Sequence, residues 1–224
     1  MIPARVLVMG ATGAVGSELV RQCIKDDRIE YVVALSRRPL PESHNKLKVI
    51  LREDFLNYDD LTEELSEIDT CYCALGVSQV QIRDPKLYTA ITRDYVLAAA
   101  RALKSANPDI RFCFVSGAGA DASEKSGTLW RRVKGETENR LRELLGDQLL
   151  IVRPGYIHPL HPREKPQWQD KIWSQFYRLK SVMPQLVTDT VEVARAMINL
   201  SFEEELQQMI GNAKLRKLAT TSQS

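Results

Sequence analysis

A glycine-rich turn near the start of the chain constrains the fold more than any other feature of the sequence. The turn covers residues 10–16 and contains Gly10, Gly13 and Gly16. Arg5 and an unbroken apolar run over residues 6–9 precede it, and apolar residues at helical spacing follow it. A buried strand, a tight glycine turn and a helix in this order are typical of the first unit of a parallel α/β sheet.

The rest of the chain alternates short apolar runs with longer segments of helical period. This alternation predicts an α/β fold with a doubly wound, mostly parallel sheet and crossover helices, which is a Rossmann fold. The predicted strands cover residues 5–9, 31–36, 47–51, 69–75, 110–116 and 149–152. The predicted helices cover residues 15–26, 59–66, 85–107, 127–145, 168–179 and 190–201.

The C-terminal part of this pattern is less regular. Residues 156–166 are rich in proline and are predicted to form a loop. Thr188 or Asp189 would cap the helix at 190–201, and the last dozen residues are expected to be frayed. The helix at 168–179 would form a small cap on the substrate side, or a surface for a protein partner, with an aromatic face made of Trp168, Trp173, Phe176 and Tyr177.

Length and composition fit one globular domain over residues 1–224. Apolar residues make up 44% of the chain and charged residues 27%, which allows a real core, and the net charge of +2 gives no basis for nucleic-acid binding. No apolar window approaches the roughly 18 residues of a membrane span, and the first residues lack the features of a signal peptide. We therefore expect a cytoplasmic protein whose four cysteines are buried core residues.

Each glycine of the turn has a role in holding a dinucleotide. Gly10 permits the tight turn, Gly13 lets the backbone approach a pyrophosphate, and Gly16 lets the helix pack closely on the strand. The N-terminus of the helix then offers unpaired N–H groups and a positive dipole to the phosphates. We therefore predict dinucleotide binding; the alternative is an incidental glycine turn. The residues of the turn predicted to contact the cofactor are Gly10, Thr12, Gly13, Ala14, Val15 and Gly16.

The residues after the second strand indicate which dinucleotide is bound. An NAD-binding protein usually carries Asp or Glu there as an acceptor for the ribose hydroxyl. This chain has Arg37 and Arg38 instead, and two guanidinium groups suit the 2′-phosphate of NADP(H) in charge and in geometry. The alternative is that both are ordinary surface arginines. After the third strand, Asp54 could accept a hydrogen bond from the adenine amino group, and Phe55 could line the adenine ring.

Further motifs follow in order along the chain. After the glycine turn and the arginine pair come Asp94-Tyr95-Val96, Ser116-Gly117-Ala118-Gly119-Ala120, Lys134-Gly135-Glu136 and Arg153-Pro154-Gly155. As a set, over about residues 4–200, they resemble those of the atypical short-chain dehydrogenase/reductases. Among these, the chain is most similar to the Tat-interacting-protein-like oxidoreductases. The resemblance implies hydride transfer between the nicotinamide of the cofactor and a small carbonyl compound or alcohol.

The resemblance also implies how the nicotinamide end of the cofactor is held. Leu75 and Gly76, at the end of the fourth strand, would lie beside the nicotinamide ribose. Lys134 would hold the hydroxyls of that ribose. Pro154 and Gly155, together with the tyrosine that follows them, would flank the nicotinamide after the sixth strand.

One position departs from the pattern of the carbonyl-reducing members, and it concerns the proton donor. Those members usually carry Tyr-x-x-x-Lys, in which the lysine lowers the pKa of a tyrosine on the same helical face. Here Trp130 stands four residues before Lys134, and an indole N–H does not exchange a proton with substrate near neutral pH. The remaining candidates for catalysis are Ser116, Lys134 and Tyr156, although Tyr156 could instead be a ring packed against the cofactor or the loop.

The sequence thus leaves two functions open. One is an NADP(H)-dependent oxidoreductase that acts on a small-molecule substrate with an atypical acid. The other is a non-catalytic NADP(H)-binding module that presents a surface to a protein partner. A metal site is not expected, because His158 and His161 have no third ligand close by in the sequence.

Overall fold

The computed structural model describes residues 4–77, 82–160 and 186–220. Seven of its strands form one parallel sheet: β1 (Ala4–Met9), β2 (Ile29–Ser36), β3 (Leu47–Leu51), β4 (Thr70–Cys73), β5 (Arg111–Val115), β6 (Leu149–Arg153) and β9 (Met209–Gly211). Two shorter strands, β7 (Tyr156–His158) and β8 (Val187–Asp189), form a separate parallel pair. The order across the large sheet is β3-β2-β1-β4-β5-β6-β9, so the strand order reverses between β1 and β4.

Helices cover both faces of this sheet. They are α1 (Ala14–Cys23), α2 (Thr62–Ser66), α3 (Pro85–Thr89), α4 (Tyr95–Ala106), α5 (Leu129–Leu145), α6 (Thr190–Ser201) and α7 (Asn212–Thr220). Helices α1, α6 and α7 pack on one face, and α2, α4 and α5 pack on the other. This arrangement confirms the predicted doubly wound sheet. None of the described helices is long and apolar enough to cross a membrane.

The strands of the large sheet are buried on both faces. In β1, Val6 and Val8 point into the core beneath α1 and α6. Leu7 and Met9 point into the opposite core, beneath α4 and α5. All four side chains are fully buried, which explains why residues 6–9 form an unbroken apolar run. Burial of each such side chain stabilises the fold by about 1.5–3 kcal/mol.

The four cysteines are free and buried in these two cores, as the sequence predicts. Cys71 and Cys73 share one core, because residues two apart on a strand point to the same face. Burial raises the pKa of Cys73 to about 11 and that of Cys71 well above its usual value. Both thiols are therefore protonated near neutral pH, which suits a structural role.

Two helices refine the prediction. The helix predicted over residues 85–107 is interrupted by a π-helical turn, Ala90–Asp94, which joins α3 to α4. Of the two residues predicted to cap α6, Asp189 does so. Its carboxylate accepts from the backbone N–H of Glu192 at 2.8 Å, and the Glu192 side chain accepts in return from the Asp189 N–H, which makes a capping box.

Two predictions for the C-terminal part are wrong. Residues 156–158, predicted to be loop, form β7 and pair with β8. The last dozen residues, predicted to be frayed, contain most of α7, in which Leu215 is fully buried. Sequence reasoning also missed β9, because a strand of three residues is defined by its partner β6 rather than by a pattern of its own. The helix predicted at 168–179, with its aromatic face, lies outside the described residues.

A buried ion pair joins α5 to the end of β6. The Glu138 side chain is fully buried, and Arg153 approaches it with two nitrogens of the guanidinium group. Nε of Arg153 donates to Oε1 of Glu138 at 2.8 Å, and Nη2 donates to Oε2. Arg142, one turn further along α5, donates to Oε2 at 3.3 Å. The buried carboxylate thus pairs with two arginines.

Replacement of Glu138 by Gln should lower the free energy of unfolding by about 3 kcal/mol, because it leaves the Arg153 charge without its buried partner. Glu67→Gln is the matched control, since Glu67 pairs with Arg5 at the surface and such pairs contribute less than about 1 kcal/mol. Denaturant unfolding followed by circular dichroism measures both variants. Equal losses of stability in the two variants would contradict a special contribution from the buried pair.

Candidate functional site

The glycine turn passes the end of β4 too closely for a side chain at residue 10. Gly10 has a φ of +79°, and a Cβ atom there would lie 2.6 Å from the carbonyl oxygen of Ala74. A Cβ atom on Gly16 would collide with the carbonyl oxygen of Gly10. Both positions therefore require glycine for a steric reason, and α1 starts directly against the end of β1.

The N-terminus of α1 is open. Gly13 is the N-cap residue, so no side chain caps the helix, and the first turn contains no acidic residue. The N–H groups of Ala14, Val15 and Gly16 lack partners within the helix because it starts there. Thr12 and Gly13 are exposed, which leaves this end of the helix accessible. An open helix N-terminus with its positive dipole can hold a pyrophosphate.

Two arginines follow β2, the strand next to β1. Arg37 and Arg38 are both exposed. The buried Ser36 fixes the turn that carries them: its hydroxyl donates to the carbonyl oxygen of Arg38 at 2.7 Å and lies 3.2 Å from the Arg38 N–H, from which it can accept. The structure thus places two cationic side chains after the strand that neighbours the glycine turn. Guanidinium groups in this place can bind a phosphate.

The two residues predicted to bind adenine make other contacts in the structure. The Asp54 carboxylate accepts from the backbone N–H of Leu56 at 2.7 Å. Phe55 is 4% exposed and stacks on Tyr95, with the ring centroids 5.8 Å apart. Both residues follow β3, at the edge of the sheet where the glycine turn lies. Their contact with adenine stays a prediction, and it would have to form beside the contacts described here.

Lys134 reaches from α5 to the ends of β4 and β5. Its Nζ donates to the carbonyl oxygen of Val115 at 2.9 Å and lies 5.0 Å from the centroid of the Phe114 ring. A Cβ atom on Gly76 would lie 3.7 Å from the same nitrogen, and the neighbouring Leu75 packs against the core. Burial lowers the pKa of Lys134 to about 8, so this ammonium group can lose its proton close to neutral pH.

The loop after β5 begins with Ser116 and is covered further along by Trp130, which lies on α5. Ser116 is 7% exposed, and its Oγ has no hydrogen-bond partner among the described residues. A buried hydroxyl of this kind is ready to bond a ligand group. The Trp130 ring lies against the two glycines that follow: a Cβ atom on Gly119 would collide with the indole, and one on Gly117 would lie 3.7 Å away. The indole is therefore a packing element of this loop.

The segment after β6 is held by three backbone contacts. The carbonyl oxygen of Pro154 accepts from the N–H of Ala118 at 2.8 Å, and the N–H of Tyr156 donates to the residue before β8. Between them, the N–H of Gly155 donates to Oδ1 of Asn212 at 2.9 Å. Sequence reasoning missed Asn212, because it adjoins a segment predicted to be frayed and no motif marks it.

The predicted site residues follow the carboxyl ends of six neighbouring strands, β1 to β6, except Lys134, which reaches the same edge of the sheet from α5. Open α/β sheets bind their ligands at this edge, next to the point where the strand order reverses. The structure brings together there an open helix end, an arginine pair, a partly buried lysine and an unpartnered serine hydroxyl. Of the two histidines considered for a metal, His158 ends β7 and His161 lies outside the described residues.

Sequence comparison identifies relatives of the chain. Residues 6–129 match the model of the NAD dependent epimerase/dehydratase family. Protein HTATIP2 of Rattus norvegicus is 28% identical over 198 residues, which are 87% of this chain and 79% of that protein. Protein FMP52, mitochondrial, of Debaryomyces hansenii is 27% identical over 161 residues, which are 71% of this chain and 69% of that protein. These relatives confirm the resemblance indicated by the motifs.

Solved structures agree with the fold. UDP-glucuronic acid 4-epimerase from Bacillus cereus, in complex with NAD, has a TM-score of 0.66 at 19% identity and covers 93% of this chain and 77% of its own. UDP-glucose 4-epimerase from Thermotoga maritima has a TM-score of 0.67 at 15% identity and covers 96% and 81%. At these identities the likeness shows the fold, and it confirms the predicted Rossmann fold. The family model matches more than half of the length of this chain, and the chain therefore belongs to the NAD dependent epimerase/dehydratase family.

Proposed function

We propose that this protein is an NADP(H)-dependent oxidoreductase that acts on a small carbonyl compound or alcohol. The observation that carries the proposal is the set of groups at the carboxyl edge of the sheet. The set contains the uncapped N-terminus of α1, after β1, and the arginine pair, after β2. It also contains Lys134, whose ammonium group lies at the end of β5. These groups suit, in turn, a pyrophosphate, a 2′-phosphate and the hydroxyls of a ribose.

The preference for the phosphorylated cofactor rests on charge. An NAD-binding protein usually has a carboxylate after the second strand, whereas this chain has Arg37 and Arg38. A carboxylate repels a 2′-phosphate, and a guanidinium group can donate two parallel hydrogen bonds to it. The Bacillus cereus epimerase was solved with NAD, so the arginine pair is the feature on which a preference for NADP(H) depends.

The described residues also suggest how the reaction is assisted. A bound nicotinamide would supply or accept the hydride. The Ser116 hydroxyl would donate to the substrate oxygen, which would give this buried group the partner that the described chain does not provide. The Lys134 ammonium would hold the ribose hydroxyls, and because its pKa is about 8 it could also deliver a proton toward the substrate. Tyr156 would lie beside the nicotinamide as a third candidate.

A second function is favoured by Trp130. Its indole packs on Gly119. By its spacing from Lys134 it would occupy the position of the tyrosine of the carbonyl-reducing members, and an indole N–H does not exchange a proton with substrate near neutral pH. A protein without a proton donor would bind NADP(H) without turnover. It would then act by presenting a cofactor-dependent surface to a protein partner.

The single domain over residues 1–224 and the cytoplasmic location stay part of the proposal. The FMP52 relatives from Debaryomyces hansenii and Candida albicans are named mitochondrial, which describes those proteins. Neither point affects the cofactor chemistry proposed above.

Arg37→Ala and Arg38→Ala should each weaken the binding of NADPH by about tenfold or more and change the binding of NADH by less than about twofold, because only NADPH carries the 2′-phosphate. Arg101→Ala is the control, since Arg101 is an exposed arginine on α4. Fluorescence titration with the two reduced cofactors gives the dissociation constants. Equal losses for NADPH and NADH would rule out recognition of the 2′-phosphate by these residues.

Trp130→Tyr should raise NADPH-dependent reduction of small carbonyl compounds by about 100-fold or more, because a tyrosine four residues before Lys134 restores a general acid. Trp130→Phe is the matched control, since it removes the indole without adding a hydroxyl. NADPH oxidation is measured by absorbance with a panel of aldehydes, ketones and quinones.

The wild-type protein in the same assay separates the two functions. Turnover by the wild type favours the oxidoreductase with an atypical acid. Tight binding without turnover, together with activity of Trp130→Tyr, favours the binding module. Equal activities of the Tyr and Phe variants would refute the assignment of Trp130 to the position of the acid.

The affinity for NADP(H) should fall as the pH rises through about 8. The phosphates of the cofactor favour the charged form of Lys134, so protonation and binding support each other, and deprotonation weakens binding about tenfold for each unit by which the cofactor raises the pKa. Lys134→Arg should lack this step, because a guanidinium group stays charged. Titrations between about pH 6 and pH 10 test this; a step of the same size in both proteins would mean that another group titrates.

A further inference from the structure

At the end of β6, three successive residues, Arg153, Pro154 and Gly155, are each held by a hydrogen bond. The Arg153 side chain is held by Glu138 on α5. The carbonyl oxygen of Pro154 accepts from the N–H of Ala118 at 2.8 Å. These two contacts join the start of the segment to the helix that carries Lys134 and to the loop after β5.

The next contact comes from the C-terminal part of the chain. The N–H of Gly155 donates to Oδ1 of Asn212, which is 57 residues further along the sequence. Asn212 is 4% exposed, so the hydrogen bond between its carboxamide and Gly155 is buried. Gly155 also has no room for a Cβ atom, because it would collide with the carbonyl oxygen of Leu186. Gly155 therefore lies close to both the Asn212 carboxamide and the backbone of Leu186.

The fold leaves the Asn212 carboxamide little freedom. Strand β9 pairs in parallel with β6, and in this register Gly211 lies opposite Arg153. Asn212 follows directly as the first residue of α7, which packs on α6 and buries Leu215 completely. The side chain thus starts from a corner between a paired strand and a packed helix. A group held on rigid elements in this way can fix the position of the backbone that it bonds.

We infer that Asn212 is a positioning residue for the nicotinamide end of the cofactor site. Its carboxamide acts on the cofactor through the backbone of Gly155, which with Pro154 would flank the nicotinamide. This role rests on the proposed binding of NADP(H). Without the carboxamide, the Gly155 N–H loses its acceptor and the segment must move to find another. The adenine end of the site, formed by the glycine turn and Arg37, does not depend on this contact.

The test compares two ligands in an Asn212→Ala variant. NADPH reaches both ends of the site, whereas adenosine 2′,5′-bisphosphate contains only the adenine end. The variant should bind NADPH about tenfold more weakly and the bisphosphate within about twofold of the wild type. The emission of bound NADPH should also change, since it reports the surroundings of the nicotinamide. Asn212→Asp keeps an acceptor oxygen for the Gly155 N–H and should recover most of the NADPH affinity.

Hydrogen exchange adds a readout that needs no cofactor. The amide of Gly155 should exchange about tenfold faster or more in Asn212→Ala than in the wild type, while amides of β5 keep their rates. Asn199→Ala is the matched control, because Asn199 also accepts a side-chain hydrogen bond, from Arg28, but lies on α6 away from this segment. The control variant should bind both ligands with the affinity of the wild type, and its Gly155 amide should exchange at the wild-type rate.

Three outcomes would overturn the inference. The first is an unchanged NADPH affinity in Asn212→Ala, and the second is an equal loss for both ligands, which would mean that Asn212 acts only on the stability of the fold. The third is an unchanged exchange rate of the Gly155 amide. A wild-type protein that binds neither NADPH nor the bisphosphate would instead refute the proposed cofactor, while the exchange rates would still report on the contact between Asn212 and Gly155.

Discussion

The fold and the site both depend on one close contact, between the backbone at the end of β1 and the backbone at the end of β4. At Gly10 the chain turns with a positive φ and passes directly against the carbonyl group of Ala74. Gly16 then lets the first turn of α1 rest on the same turn. A side chain at either position would push α1 away from the sheet. The position of the N-terminal end of α1 relative to the neighbouring strands thus depends on the absence of a side chain at Gly10 and at Gly16.

The large sheet is predictable from the sequence because its strands are buried on both faces. An unbroken apolar run such as residues 6–9 needs no knowledge of its partners to be identified. The strands β7, β8 and β9 have three residues each, and they exist because of their partners. In α7, buried Leu215 and Ala219 stand among charged residues, so the composition of this segment hides its buried face.

The candidate site shows the same difference between local and distant contacts. The positions of the glycine turn and the arginine pair are predictable because each of the two is contiguous in the sequence and directly follows a strand. The rest of the site depends on contacts between distant residues, such as the indole of Trp130 on Gly119. Phe55 shows the difference in the opposite direction, because its position after β3 indicates an adenine contact, whereas its stacking on Tyr95 appears only in the folded chain.

The burial of the cysteines has a consequence for how the opening of this fold can be measured. Thiol reagents attack the thiolate, and all four sulfurs are buried, so modification requires the protein to open. Cys23 and Cys113 lie in the core beneath α1 and α6, while Cys71 and Cys73 lie in the core beneath α4 and α5. Each pair is therefore a native kinetic label for one face of the sheet, and the two labelling rates together distinguish concerted opening from the separate detachment of either helical layer.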